Sequence, residues 1–136
     1  MKTSPIVLDT NIILDAFVFN DPATAPLQQA LANSELDWLA TQPMRDELER
    51  VLTYPKIVQK LIFYKLGAQD VLDKFNQHSR IVDAAPKASV TCSDKDDQKF
   101  IDLAVQHRAL LLSKDKAVIS MRKRLLAIGI IAQAAM

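Results

Sequence analysis

Four carboxylates, Asp9, Glu47, Asp97 and Asp115, stand at positions where the surrounding pattern calls for apolar or neutral residues. Asp9 closes the short apolar run Ile6 to Leu8, and after Thr10 a helical pattern runs from Asn11 to Phe19. A strand that stops at a carboxylate and turns directly into a helix is the usual opening of a βαβ unit. In open parallel sheets, ligands bind outside that carboxyl end, where the strand order reverses. A helix is predicted over 94–107, with Phe100, Ile101, Ala104 and Val105 on its apolar face. At about 100° per residue, Asp97 points close to the centre of that stripe while Asp102 points away. An acid aligned with a buried face needs a metal or a hydrogen-bond donor. Glu47 lies at the edge of the stripe formed by Met44, Leu48, Val51 and Leu52, whereas Asp46 and Glu49 face outward. Asp115 follows a strand predicted over 109–112, after Ser113 and Lys114, which puts it at the same end of the sheet as Asp9.

Each acid also has an ordinary reading. Asp9 and Asp115 could cap the helices that follow them. Asp94, Asp96 and Asp97 could all answer a helix dipole, and Glu47 could be a solvated edge residue. The set is more informative than its members. Two carboxylates from neighbouring strand ends and two from helices packed nearby can meet in one pocket. There they stay ionised together only if a divalent cation compensates them. Ligands that offer only oxygen suit Mg2+ or Mn2+ rather than zinc. Asp94 and Asp96 are close enough in sequence for either to join the third acid.

The elements that must carry these residues follow from periodicity and punctuation. Strands are predicted over 6–8, 37–40, 80–83, 109–112 and 129–132. Helices are predicted over 11–19, 25–33 and 43–53, through 56–78 with a break near Gly67, and over 94–107 and 117–126. Alternation of this kind implies an α/β fold: a three-layer α/β/α sandwich around a parallel sheet of four to five strands. At 136 residues, a single domain spanning 1–136 is expected. The chain is 49% hydrophobic, which argues against disorder and points to an apolar surface for a partner. Two glycines leave no phosphate-cradling loop, so the P-loop and the dinucleotide fingerprint are excluded. The lone Cys92 can form neither an internal disulfide nor a structural zinc site. His78 and His107 lack ligand spacing. With no leader-like start and no apolar run approaching the roughly 18 residues of a membrane span, a cytoplasmic protein is expected.

The motifs resemble a known family. Val7-Leu8-Asp9-Thr10-Asn11-Ile12 resembles the opening strand and turn of PIN domains. Glu47-Leu48 with Val51 and Leu52 is similar to the family's second acidic segment, Asp97 through Ala104 to its third, and Ser113-Lys114-Asp115 to its fourth. The match runs in order from about residue 6 to residue 116. The stretch Asp94-Lys95-Asp96-Asp97-Gln98-Lys99-Phe100 resembles the bacterial branch assigned to toxins of toxin–antitoxin pairs. The resemblance implies a PIN-like fold and a metal-dependent endoribonuclease acting on single-stranded RNA. It implies that Asp9, Glu47, Asp97 and Asp115 hold one or two Mg2+ or Mn2+ ions. Thr10, Asn11 and Ser113 would then orient those carboxylates or a water. It further implies a small antitoxin protein, laid as a peptide or helix into a groove near the acids, and a homodimer or higher homo-oligomer.

Single-stranded RNA needs cations along its path and surfaces for stacking. The net charge of +1 advertises no polyanion partner, so any basic surface must be local. Arg45 and Arg50 flank Glu47, and Lys99 and Lys114 adjoin the other acids, which makes these four the candidate phosphate contacts. Arg122, Lys123 and Arg124 read as a solvated helix face. Tyr54, Phe63 and Tyr64 lie in a helical region suited to a partner surface or a lid. Two other acidic-pocket folds fit less well. A receiver-type signalling domain wants paired acids after its first strand, where Asp9 is followed by Thr10 and Asn11. A phosphohydrolase with an aspartate nucleophile wants a second acid where Asn11 stands. A catalytically silent PIN-fold binding module is the remaining alternative.

Overall fold

A computed structural model of the chain describes residues 3–136. Five strands, β1 (Ser4–Leu8), β2 (Leu36–Ala40), β3 (Ser79–Ile81), β4 (Leu110–Leu112) and β5 (Ala132–Gln133), form one sheet in the order β3-β2-β1-β4-β5. Every neighbouring pair is parallel. Around it run α1 (Thr10–Phe17), α2 (Ala25–Ala32), α3 (Gln42–Val51), α4 (Pro55–Phe63), α5 (Ala68–His78), α6 (Gln98–His107), α7 (Lys116–Ile119) and α8 (Arg122–Ala127). The α/β class and the all-parallel sheet are as the alternation of patterns predicts.

The central strands show why the sheet is parallel and covered. Ile6, Val7 and Leu8 of β1 are all buried, as are Leu111 and Leu112 of β4. A strand apolar on consecutive residues, with no alternation, has to be sandwiched on both faces. The chain builds outward from β1 through β2 to β3, then crosses back to lay β4 on the other side of β1. The order therefore reverses between β1 and β4, and a crevice opens at their carboxyl ends. The register sets Leu8 opposite Leu112, so Asp9 and Ser113 leave the sheet side by side. This order also differs from the 2-1-3-4-5 arrangement of receiver-type domains.

Trp38 of β2 anchors one layer of the core. Its ring centroid lies 6.0 Å from Phe17 and 5.0 Å from Phe75, the latter edge-to-face. The residue is 1% exposed. Trp38→Ala is expected to destabilise the fold by about 3–5 kcal/mol, mostly as an unfilled cavity. A urea or guanidinium titration measures this as a shifted midpoint; a loss below 1 kcal/mol would contradict the packing described.

Most predicted elements are shifted by one or two residues at an end, and three depart further from the sequence-based expectation. The helix predicted over 117–126 is two short helices, α7 and α8, with the break at Ser120 and Met121. Val118, Met121 and Leu125 are all fully buried, so apolar spacing of helical period runs straight through the break and hides it. The last strand is Ala132–Gln133 and does not begin at Gly129, which sits at φ +82 just past α8. A glycine there ends a helix, because a left-handed residue closes its last carbonyls. The helix predicted from Asp94 begins as a single 3-10 turn, Lys95–Asp97, and becomes α-helical at Gln98. No helix among the described residues is long and apolar enough to cross a membrane.

Candidate metal centre

The acidic crevice is assembled from four directions. Asp9 ends β1 and caps α1: its Oδ1 accepts the backbone N–H of Asn11 at 2.8 Å and of Ile12 at 3.3 Å. Its Oδ2 accepts the Ser113 hydroxyl at 2.5 Å. Only 3% of Asp9 is exposed, and that burial raises its pKa. The Ser113 hydroxyl and the two N–H groups pull the other way, and the charge of Asp115 adds to the rise. Ser113 itself is fully buried just past β4, and its Oγ also accepts the Asp115 N–H at 3.1 Å. One hydroxyl thus ties the loop that carries the fourth acid to the first acid.

Asp115 caps α7, with Oδ1 accepting the Ala117 N–H at 2.8 Å. The capping role and the convergence do not exclude each other, because a helix N-terminus also steadies the negative charge brought there. Asp97 stands at the start of α6 but makes no side-chain capping bond. Its Oδ2 is buried with no hydrogen-bond partner, the one such side-chain atom among the described residues. Burial, then the charges of Asp115, Asp94 and Asp9, push its pKa up to about 7. Carboxylate oxygens of Asp94, Asp97 and Asp115 all lie within 4.8 Å of one another.

Glu47 reaches the crevice from α3, the helix whose Met44 and Leu48 are buried. Its Oε2 accepts the Thr10 hydroxyl at 2.9 Å and lies 3.3 Å from the Lys99 ammonium. A cleft of about 120 Å³ is lined by Asp9, Thr10, Asn11, Glu47, Asp97 and Phe100, with Val51 beside them. The donor set is made of oxygens alone, and it includes a buried carboxylate oxygen with nothing to bond. Those features fit a hard divalent cation of the Mg2+ or Mn2+ kind.

Of the four acids named from sequence, Asp9, Glu47 and Asp97 line one cleft, while Asp97 also stands within 4.8 Å of Asp115. Asp94 joins them, although its position alone explains it as a cap, and its Oδ1 does accept the Asp96 N–H at 2.9 Å. The signal that could have found it is the 3-10 turn, in which residues three apart eclipse and so share a side. Asp96 is exposed and belongs to no such group. Thr10 and Ser113 hold acids through their side chains, whereas Asn11 does so through its backbone N–H. The cationic candidates divide. Lys99 is on the acidic rim, and Arg50 is exposed close by, its pKa raised by Tyr54 first and by the charges of Glu47 and Asp96. Arg45 is turned to Asn76 at 3.1 Å and Glu49 at 3.1 Å, and Lys114 is ion-paired to Asp15.

Two larger grooves are mainly apolar. One, of about 580 Å³, is lined by Asn11, Leu14, Val51, Tyr54, Pro55 and Ile57, and it adjoins the acidic cleft through Asn11 and Val51. The other, of about 440 Å³, lies by α8 against Ile130 and Ile131, with Arg122 and Lys123 exposed at its rim and no carboxylate in it.

Comparison with known proteins gives three findings. Residues 5–117 match the family model described as PIN domain. An uncharacterized protein of Methanocaldococcus jannaschii is 24% identical over 117 residues, covering 86% of this chain and 74% of its own length. The crystal structure of VapBC2 from Rickettsia felis, bound to a DNA fragment from their promoter, contains a chain that superimposes with a TM-score of 0.63 at 18% identity. That alignment covers 94% of this chain and 96% of the other, a likeness of fold.

Proposed function

Since the chain belongs to the PIN domain family, we propose that it is a metal-dependent endoribonuclease that cleaves single-stranded RNA in the cytoplasm as the toxin of a toxin–antitoxin pair. Asp9, Glu47, Asp97 and Asp115 would hold one or two Mg2+ or Mn2+ ions, with Asp94 adjoining. The chemistry such an ion supplies is the activation of water and the neutralisation of phosphate charge during in-line displacement. The chain's own residues do the positioning. Ser113 and the N–H groups of Asn11 and Ile12 fix both oxygens of Asp9, and Thr10 fixes Glu47. Lys99 and Arg50, on the rim, would be the phosphate contacts; Arg45 and Lys114 would first have to leave their acidic partners.

The observation that carries this reading is the buried Asp97 Oδ2, which has no protein partner and lies among like charges. Such a group costs stability until something compensates it. The apolar groove beside the cleft supports the antitoxin, because a peptide laid along it would reach the cleft that it adjoins through Asn11 and Val51. The exposed face of α4, where Ile62 is 72% and Phe63 74% exposed, supports self-association through a homodimer.

The test is direct. End-labelled single-stranded RNA is incubated with the protein and Mn2+ or Mg2+, with and without EDTA. Internal cleavage that requires the ion is the expected result. Binding without cleavage would favour the silent module, and cleavage that EDTA leaves intact would rule out a metal mechanism.

A further inference from the structure

Lys99 is the cation of the acidic rim that contacts a carboxylate of the cleft directly. Three contacts fix it. Its ammonium donates to the Asp96 carbonyl at 2.5 Å, lies 3.3 Å from Glu47 Oε2, and sits 4.8 Å from the centroid of the Phe100 ring. Both α6, which carries Lys99, and α3, which carries Glu47, are regular helices, so the pair is held by two rigid elements. The Lys99 side chain is 29% exposed and that of Glu47 18%. A lysine kept in one geometry by a carbonyl, an aromatic face and a carboxylate is positioned, since an unconstrained surface lysine gains little from a single ion pair.

We propose that Lys99 is a positioning residue that competes with the divalent ion for Glu47 and so holds the affinity of the metal centre down. The inference rests on the metal-dependent reading above. A unit positive charge this close to one ligand opposes a second cation at that ligand, and it occupies the same oxygen, Oε2, that the Thr10 hydroxyl orients. Each carboxylate in the crevice draws a cation in; Lys99 is the opposing charge that keeps the ion exchangeable. Phe100 and the Asp96 carbonyl set how far the ammonium can retreat when an ion arrives.

Titration of the full chain with Mn2+, followed by the electron paramagnetic resonance signal of the unbound ion and without RNA, tests this independently of activity. Lys99→Met keeps an unbranched side chain beside Phe100 and removes the charge. It is expected to tighten Mn2+ binding about tenfold, whereas Lys99→Arg stays close to the wild-type affinity. A merely structural lysine gives the opposite result, a lower melting temperature with unchanged or weaker binding, and that would overturn the proposal. So would unchanged Mn2+ affinity with weakened RNA binding, which would make Lys99 a phosphate contact only. If the wild-type chain bound no Mn2+ at all, the metal-dependent reading would fall with it, and the two failures are thereby told apart.

Discussion

Replacing Asp9 with asparagine is expected to lower RNA cleavage on the order of ten-thousandfold, the scale of losing a member of a catalytic unit, while the protein stays folded. The reason lies in what each oxygen of Asp9 does. Oδ1 accepts two backbone N–H groups, and an amide oxygen can do the same. Oδ2 accepts the Ser113 hydroxyl; an amide nitrogen in its place donates to the Ser113 oxygen instead. The backbone and the cap survive, and so does the link to β4. What disappears is a negative charge buried beside Asp97 and Asp115, and with it a proposed ligand for the ion. Because burial and Asp115 already disfavour that charge, the variant should melt no lower than wild type. Single-turnover cleavage and a thermal melt, run side by side, decide the matter. Wild-type turnover in the variant would mean that the reaction does not pass through this crevice.

The metal-free protein is expected to lose stability as the pH rises from about 4 to about 7, and divalent ion should reverse the trend. In the folded state Asp97 holds its proton up to about 7, against a reference value of 3.8. Below both values the two states are equally protonated there, and the group is neutral for stability. Between them the folded state carries the extra proton, so raising the pH works against folding. Above both, the charged carboxylate is buried among Asp115, Asp94 and Asp9, and the cost is complete. Asp9, also raised, acts in the same direction. Asp37 is lowered by its bond to Arg80 and has the opposite sign, but its effect is confined to more acidic solutions. In melts at pH 5.5 and pH 8 with EDTA, the more acidic sample should melt higher by several degrees. Mn2+ should then raise the melting temperature far more at pH 8 than at pH 5.5, because the ion binds the ionised acids of the folded state only. A metal-free protein that grew more stable across this range would contradict the environment assigned to Asp97.

Much of this arrangement could be read from the chain. The consecutive apolar residues of β1, the break after them at Asp9, and the helical phase of Asp97 against Phe100 and Ile101 are local patterns, and local patterns survive folding. The sequence could not show which acids would end up adjacent across the crevice. Asp94 and Asp96 were equally open as neighbours of the third acid, because the 3-10 turn that brings Asp94 beside Asp97 leaves no periodic trace over three residues. Arg45 and Lys114 sit next to acids in sequence, yet each is drawn to a distant partner, Asn76 for one and Asp15 for the other. The break between α7 and α8 was masked for the reverse reason, since the buried positions keep their spacing through it.

The bond between Ser113 and Asp9 joins residues 104 apart in the chain. Until β4 has paired with β1, neither that hydroxyl nor Asp115 is anywhere near the first carboxylate. A polypeptide still emerging from the ribosome, with β4 not yet made, cannot bring Asp9, Ser113 and Asp115 together. The order of synthesis alone thus delays assembly of this crevice until β4 has been made and has paired with β1.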